Sequence, residues 1–285
     1  ICGACYAGLG QLDAAVKSYE QALAIKLDYA EVHNNLGVTL KELGRLEDAV
    51  KSYEKALAIQ PDYSEAHNNL GIVLKELRQL DAAVKSFEKA LAIKPDYIEV
   101  NYNLGVTLKE LGQLEDAVKC YEKAVALKPD YADAHYNLGN TLKELGRLDA
   151  AVKSYEKALA VNPDDAEAHN NLGNTLKELG QLDAAVKSYK KAVAVNPDYA
   201  EAHNNFGATL RELDQLDAAV KCYEKALALK PDYADAHANR GNVLKDFKRL
   251  DEALASYESA IALAPDSDFI LGNVLHTKMN LCIWD

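Results

Sequence analysis

The chain has 285 residues and is acidic: 32 lysine and arginine residues stand against 44 aspartate and glutamate residues, a net charge of −12. This balance argues against a nucleic-acid partner. A hydrophobic fraction of 49% indicates a folded chain, and no apolar run is long enough for a membrane span. The five cysteines do not form a disulfide framework in a chain of this length. With no leader at its start, we expect a cytoplasmic protein that makes no membrane contact.

Glycine and proline recur at a fixed interval. Pro61 and the later prolines are 34 residues apart, and Gly37 belongs to a glycine series with the same period. We number the unit so that this glycine is position 8 and the proline is position 32. Such a period is typical of a solenoid. We predict a single array over 1–285, made of a partial unit at 1–29, full units at 30–63, 64–97, 98–131, 132–165, 166–199, 200–233 and 234–267, and a C-terminal helix at 268–285.

Each unit predicts two helices, A and B, so the fold class is all-α. In 166–199, apolar residues at helical spacing give helix A one buried stripe, and Gly180 supplies the left-handed residue that ends it. Helix B follows and stops before Pro197. A residue other than glycine at this turn costs roughly 1 kcal/mol, which a long array tolerates. Three units carry such a residue, at Arg78, Asp214 and Lys248.

Small and aromatic residues recur inside the units. Alanine at positions 20 and 27 lets neighbouring helices approach closely, and tyrosine or phenylalanine at position 24 fills the space beside them. The aspartate after the proline, with an acidic residue three positions later, predicts a capping box at the start of the next helix A. The pairs are Asp62 with Glu65, Asp198 with Glu201, and Asp232 with Asp235.

Histidine and cysteine do not form a catalytic or metal-binding pattern. The histidines at position 4 recur once per repeat, on helices stacked about 8–10 Å apart, too far for two of them to share one metal ion. We therefore favour packing as their role. Cys2 and Cys5 form a CxxC motif without a second pair, and Cys2 is predicted to be a small core residue. No phosphate loop or Ser-His-Asp group is present, so we expect no enzyme activity, metal or cofactor within this chain.

One face of helix A is polar, at positions 2, 5, 6, 9 and 12. We expect it to line a groove along the array. Asparagine inside a helix costs roughly 0.6 kcal/mol relative to alanine, so a fixed asparagine at position 6 suggests a role beyond folding. Its side-chain amide both donates and accepts hydrogen bonds. Successive position-6 asparagines, called rungs below, would be about 8–10 Å apart, so they would contact an extended peptide backbone at about every third residue. The candidate binding residues at position 6 are Asn35, Asn69, Asn103, Asn137, Asn171, Asn205, Asn239 and Asn273.

The positions beside this row vary. Tyr102 and Tyr136 at position 5 predict a local aromatic platform, and Asn140 and Asn174 at position 9 add further amides. Two alternatives to ligand contact remain open for the row. A recent duplication could have copied the asparagine, or the asparagine could bond to the neighbouring helix.

The unit resembles the tetratricopeptide repeat (TPR), on the basis of its Leu-Gly at positions 7 and 8, its alanines, its aromatic residue and its proline. It departs from that pattern with histidine at position 4 and leucine at position 11. The resemblance implies a right-handed superhelix of antiparallel helix pairs that binds proteins or peptides. In co-chaperone members, a lysine and arginine clamp on this face holds a C-terminal carboxylate. Position 2 is acidic here, as in Glu65 and Glu99, which argues against that clamp.

The asparagine row resembles the TPR superhelix of O-GlcNAc transferase-like (SPINDLY-type) glycosyltransferases, where it holds the backbone of the protein substrate. The spacing of Asn273, His276, Cys282 and Trp284 is similar to the segment that joins those repeats to the catalytic part, although Ile283 replaces an acidic residue. The resemblance implies a substrate-recognition region that binds extended protein segments, with a possible downstream catalytic domain.

The alternative hypothesis is a free-standing scaffold that assembles complexes or self-associates as a homo-oligomer. The C-terminal segment is more apolar than a capping helix should be. We expect Phe269, Ile270, Met279 and Trp284 to need a partner surface.

Overall fold

The structure, a computed structural model, describes residues 2–283. Those residues form 17 helices and no strand, which confirms the all-α prediction. The chain divides into two compact units, unit 1 at Ile1–Leu145 and unit 2 at Gly146–Asp285. The single array predicted for 1–285 stays a prediction. None of the helices in the described range combines the length and the apolarity needed to cross a bilayer.

In unit 1, a helix A packs on the helix B that follows it within the unit, and each helix B packs on the next helix A. Its helices are α1 (Cys2–Gly8), α2 (Leu12–Ile25), α3 (Ala30–Glu42), α4 (Leu46–Ile59), α5 (Ser64–Glu76), α6 (Leu80–Ile93), α7 (Ile98–Glu110), α8 (Leu114–Leu127) and α9 (Ala132–Glu144).

Unit 2 repeats the same pattern of neighbours, beginning with a helix B. Its helices are α10 (Leu148–Val161), α11 (Ala166–Glu178), α12 (Leu182–Val195), α13 (Ala200–Glu212), α14 (Leu216–Leu229), α15 (Ala234–Asp246), α16 (Leu250–Leu263) and α17 (Asp268–Asn280).

The aromatic residue at position 24 packs into a notch made by the glycine at position 8. Tyr53 is completely buried, and a Cβ added to Gly37 would lie 2.6 Å from its ring. Phe87 stands in the same relation to Gly71, also at 2.6 Å. The alanines at positions 20 and 27 are buried as predicted, for example Ala49. The glycine therefore sets how closely helices A and B of one repeat can approach.

The turn between helices A and B has the predicted left-handed residue. Gly180 has φ of 73°. The units that lack glycine here keep the same conformation, with φ of 61° at Arg78, 58° at Asp214 and 59° at Lys248. A non-glycine residue in this region costs about 1 kcal/mol, which the packing of the two helices offsets.

Histidine at position 4 ties helix A to the loop before it. Nε2 of His67 lies 3.0 Å from the carbonyl oxygen of Pro61, and Nε2 of His203 lies 3.0 Å from that of Pro197. Since a carbonyl only accepts, Nε2 carries the proton and donates. The predicted packing role of this histidine thus includes a hydrogen bond that fixes the turn after helix B.

The predicted capping boxes are wrong. Helix A begins one residue later than that pattern requires, so the residue at its N-cap is a tyrosine whose side chain makes no capping bond, as at Tyr63 and Tyr199. The aspartate lies in the preceding turn. Asp165 occupies the N-cap of α11 in place of tyrosine, and its carboxylate accepts a 2.9 Å hydrogen bond from the backbone N–H of Ala168.

Candidate functional site

The helix-A face, formed by positions 2, 5, 6, 9 and 12 of each repeat, is accessible in both units. At position 6, all eight predicted asparagines are half-buried, from Asn35 to Asn273. At position 5, by contrast, Asn34 and Asn170 are buried beneath this row. The face thus presents one position-6 amide per repeat, with a buried position-5 asparagine beneath it in several repeats.

In unit 1, the position-6 amide donates a hydrogen bond to the position-5 side chain of the preceding repeat. Nδ2 of Asn69 lies 3.1 Å from Oδ1 of Asn34, and Nδ2 of Asn103 lies 3.4 Å from Oδ1 of Asn68. The row therefore bonds across neighbouring A helices, which is one of the two alternatives left open by the sequence.

Unit 2 repeats this bond. Nδ2 of Asn205 lies 3.1 Å from Oδ1 of Asn170, and Nδ2 of Asn239 lies 3.1 Å from Oδ1 of Asn204. Asn171 lies on the same row and is half-buried. At the end of the row, Oδ1 of Asn273 accepts a 3.2 Å hydrogen bond from Nζ of Lys245.

In unit 1 this bond fixes the orientation of the position-6 amide, whereas in unit 2 Oδ1 of Asn205 also accepts a 3.5 Å hydrogen bond from Nδ2 of Asn204. Because Nδ2 is held by the preceding repeat, the carbonyl Oδ1 is the atom left to accept. In the described part of unit 1, Oδ1 of Asn69, Asn103 and Asn137 has no hydrogen-bond donor. The backbone below is also fixed, since Thr107 donates a 2.8 Å hydrogen bond to the carbonyl of Asn103. These amides are preorganised acceptors.

Tyr102 replaces asparagine at position 5 and is half-buried. Its hydroxyl accepts a 3.0 Å hydrogen bond from Nδ2 of Asn137, and its ring lies 5.0 Å from that of Tyr131, centroid to centroid. Burial and the nearby carboxylate of Asp133 raise the pKa of Tyr102. Tyr136 lies half-buried on α9. The predicted aromatic surface therefore includes Tyr131, which sequence reasoning did not select.

The position-9 asparagines differ in role from those at position 6. Oδ1 of Asn174 accepts a 2.7 Å hydrogen bond from the hydroxyl of Tyr189, the buried position-24 residue of the same repeat. Asn140 occupies the equivalent position on α9 and is half-buried. For Asn174, the structure gives a packing role that the sequence did not indicate.

Charge is divided between the two ends of helix A. Near its C-terminal end, the position-12 lysine pairs with the position-13 carboxylate of the next repeat in two places in unit 1, at 3.4 Å for Lys41 with Glu76 and 2.8 Å for Lys109 with Glu144. In the repeat between them, Lys75 makes no such pair, because Glu110 pairs with Arg78. In unit 2, Lys177 pairs with Glu212 at 2.9 Å. These positive charges are neutralised within each unit, whereas the position-2 carboxylates near the N-terminal end are exposed.

Two of the cysteines, Cys120 and Cys222, are partly buried on B helices. Burial raises the pKa of Cys120 and of Cys222 to about 11, which favours the unreactive thiol form. Cys2 was predicted to lie in the core, but it is exposed, because α1 places only Gly3 against Tyr19. Across residues 2–283, no three His, Cys, Asp or Glu side chains are arranged to hold a metal ion.

The last helix, α17, only partly matches its prediction. Ile270 was expected to need a partner, yet it is buried in a cluster with Ala238 and Ala260. Phe269 and Met279 are exposed as expected, at 67% and 57%. Trp284 lies outside the described residues. The exposed apolar side chains of α17 also include Leu271 and Leu275.

Comparison with protein families finds repeat models along most of the chain. A model described as TPR repeat matches 3–44, 107–146, 139–180, 173–213 and 207–246, more than half of the chain. Models described as tetratricopeptide repeat match 28–96, 74–124 and 234–267. No curated protein matches the sequence.

Several solved structures are similar. YrrB, described as a TPR protein with an unusual peptide-binding site, is 28% identical; the match covers 69% of this chain and 99% of YrrB, with a TM-score of 0.59. MamA is 27% identical, and the match covers 59% of this chain and 98% of MamA, with a TM-score of 0.56. PilF of Pseudomonas aeruginosa is 22% identical, and the match covers 73% of this chain and 94% of PilF, with a TM-score of 0.60. At this identity, the similarity supports the shared fold and nothing further.

Proposed function

This chain belongs to the tetratricopeptide-repeat family, and from that premise we propose that its helix-A face binds extended segments of other proteins. YrrB, one of the similar structures, is described as having a peptide-binding site, which supports a protein-interaction role for this chain. We propose a non-catalytic module whose position-6 asparagines contact the partner's backbone.

The observation that carries the proposal is the fixed orientation of the amides. In Asn69 and Asn103, Nδ2 is held by the preceding repeat, so Oδ1 is positioned before a partner arrives. An acceptor held in this way suits a backbone N–H, which every residue except proline provides. Preorganisation also reduces the entropy lost on binding.

The expected binding is weak at each rung and tolerant of sequence. A neutral hydrogen bond contributes about 0.5–1.5 kcal/mol, so affinity depends on several rungs engaged together. Stacked A helices are about 8–10 Å apart and an extended chain rises about 3.3 Å per residue, so each rung meets about every third residue of the partner.

Paired alanine variants test the proposal, because the chain offers a matched control. Asn69→Ala with Asn103→Ala removes two accepting amides together with their bonds to Asn34 and Asn68. Asn34→Ala with Asn68→Ala breaks the same two bonds but keeps the rung amides. Binding to a library of short unstructured peptides is measured for both, with circular dichroism to check helicity.

We expect the rung variant to lose most binding while the control retains it. Equal losses in the two variants would assign the asparagines to helix packing alone and contradict the proposal. Unchanged binding in the rung variant would contradict it as well.

The asparagine row also motivates a more specific context, in which the chain is the substrate-recognition region of an O-GlcNAc transferase-like protein. The support is the recurrence of the amide at position 6 in every full repeat. Reading the coding sequence on both sides of the chain tests this context. A glycosyltransferase domain in the same frame supports it, and a stop codon directly after residue 285 contradicts it.

A second candidate function, self-association, is favoured by the exposed apolar residues of α17. Leu275 and Met279 are 54% and 57% exposed and lie four residues apart on one face. Light scattering at increasing concentration tests it. We expect the mass of the wild-type chain to rise with concentration and that of Leu275→Glu with Met279→Glu to stay at the monomer value. A monomeric wild-type chain would contradict self-association.

A further inference from the structure

The N-terminal end of the helix-A face carries negative charge without intramolecular partners. Four of the A helices of unit 1, all but α1, have an acidic side chain at position 2, and all four side chains are exposed. Within the described residues they make no ion pair, unlike the position-12 lysines, Lys41 and Lys109. The position-2 residues of unit 1 are Glu31, Glu65, Glu99 and Asp133.

A tyrosine at the N-cap of helix A stands two residues before the acidic residue. Tyr63 precedes α5 and is half-buried; burial, followed by the carboxylates of Glu65 and Glu31, raises its pKa. Tyr97 repeats the arrangement, because burial and then Glu65 and Glu99 raise its pKa.

The chain already places a cation on one of these rings. Nζ of Lys94 lies 4.6 Å from the centroid of the Tyr97 ring, a cation–π distance. Gln60 occupies the position equivalent to Lys94 in the repeat 30–63, so Tyr63 has no lysine of its own at that position. An aromatic ring at the same end of helix A as an exposed carboxylate is a suitable environment for an ammonium or guanidinium group.

The asparagine row adds to the excess of acceptors. Glu65 and Asn69 are four residues apart on α5 and therefore share a face. Because Nδ2 of Asn69 is bound to Asn34, its outward group is a carbonyl. Carboxylate and carbonyl oxygens both bind N–H donors, and neither binds a carboxylate.

Helix geometry alone explains part of this pattern. An acidic residue in the first turn interacts favourably with the helix dipole, by about 0.3–1 kcal/mol. That effect does not account for the tyrosine beside each carboxylate or for the ion pairs of Lys41 and Lys109 at the opposite end of helix A. The combination indicates a surface whose charge selects its partner.

We propose that the helix-A face of unit 1 selects extended segments that carry lysine or arginine at about every third residue. The partner's side-chain cations would lie among the position-2 carboxylates and at the ring of Tyr63, while its backbone N–H groups meet Asn69 and Asn103. This inference rests on the proposed peptide-binding function and specifies the partner's chemistry.

Three unstructured peptides of equal length test the selection. Each consists of serine and glycine, with lysine, glutamate or serine at every third position. Affinity is measured for the wild-type chain and for Glu31→Lys with Glu65→Lys. The matched control is Glu54→Lys with Glu88→Lys, which changes the net charge equally with exposed residues of helix B in the same repeats. Thermal melting checks the fold, and Glu31→Gln with Glu65→Gln is a milder variant.

We expect the wild-type chain to bind the lysine peptide most tightly, with an affinity that falls as salt rises. Charge reversal in Glu31→Lys with Glu65→Lys should weaken binding of the lysine peptide on the order of tenfold, mainly through slower association. The helix-B control should bind the lysine peptide with an affinity within about twofold of wild type, since its substituted residues are not on the helix-A face. An equal loss in that control, or no loss in either charge variant, would overturn the selection.

The same measurements distinguish failure of charge selection from failure of the proposed peptide binding. Equal binding of all three peptides, abolished by Asn69→Ala with Asn103→Ala, would overturn charge selection and leave peptide binding in place. If no peptide binds the wild-type chain, both proposals are overturned.

Discussion

The hydroxyl of Tyr189 donates a 2.7 Å hydrogen bond to Oδ1 of Asn174, across the interface between helices A and B of one repeat. Tyr257 makes the same bond to Asn242, at 2.8 Å. Tyr53 occupies the equivalent position, but its repeat has Val38 in place of the asparagine, and the buried hydroxyl of Tyr53 has no partner among the described residues. The same buried hydroxyl is thus satisfied in some repeats and unsatisfied in others.

This contrast predicts opposite effects for one substitution. Tyr189→Phe should lower the free energy of unfolding by about 1 kcal/mol, because it removes a hydrogen bond and leaves Oδ1 of Asn174 without its donor. Tyr53→Phe should be neutral or stabilising by up to about 1 kcal/mol, since the hydroxyl it removes is buried and unpaired. Phe87 already occupies this position in another repeat and is fully buried.

The measurement is the urea midpoint of each variant, with the dependence on urea checked for constancy. Val38→Asn is the complementary variant, expected to restore a partner for Tyr53. Equal destabilisation by Tyr53→Phe and Tyr189→Phe would show that the hydrogen bond is not the source of the difference.

Much of the fold was predictable because it is dictated locally. The left-handed turn at Gly180 and the buried alanine Ala185 follow from residue type and spacing, and the structure confirms both. The reason for Gly37 was not predictable. A glycine inside a helix has no local requirement there, and its partner, the ring of Tyr53, lies on another helix.

The candidate face was predictable in position but not in detail. Spacing alone placed Asn69 and Asn103 on one side of helix A. The sequence could not show that Nδ2 of each bonds to the preceding repeat, because that depends on the distance between neighbouring helices. The capping prediction failed for a similar reason: the register of helix A begins after Tyr63, and Asp62 is left in the turn.

The glycine notch predicts a second contrast. In Gly71→Ala, the new Cβ would lie 2.6 Å from the ring of Phe87, and overpacking of this kind costs about 1–3 kcal/mol. Gly272→Ala is the control within α17, where no heavy atom lies within 4 Å of the added carbon. It should stabilise the chain by about 0.5–1 kcal/mol through helix propensity. Thermal unfolding of both variants tests the pair, and a stabilising Gly71→Ala would contradict the close approach of helices A and B.

Burial predicts the order in which cysteines react. A pKa of about 11 for Cys120 and Cys222 leaves a thiolate fraction on the order of one in a thousand at pH 8. Cys2, Cys5 and Cys282 are exposed and should be alkylated first. Mass spectrometry of peptides after timed quenching measures the order. In urea all five should react at similar rates, and early modification of Cys120 in the folded chain would contradict its burial.

Histidine at position 4 makes stability depend on pH. Burial lowers the pKa of His33 and of His67 below its ordinary value of 6.5. The lysines nearby, Lys55 beside His33 and Lys89 beside His67, lower it further, and the bonds to backbone carbonyls oppose the shift. In the unfolded chain the histidines take up protons near pH 6.5, whereas the folded chain takes them up only at lower pH.

Between those values the unfolded state holds more protons, so stability falls as pH decreases. The contribution of neutral His33 and His67 is complete above about pH 6.5 and is lost progressively below it. The melting temperature should therefore fall from pH 7.5 to 5.5, and that of His33→Asn with His67→Asn should fall less steeply.

Asn101 occupies position 4 in another repeat, where its amide donates a 2.9 Å hydrogen bond to the carbonyl of Tyr97, so asparagine is compatible with the site. The wild-type chain and this variant have the same carboxylates, so protonation of carboxylates affects both equally. If their melting temperatures fell in parallel with pH, these histidines would not be the cause of the pH dependence.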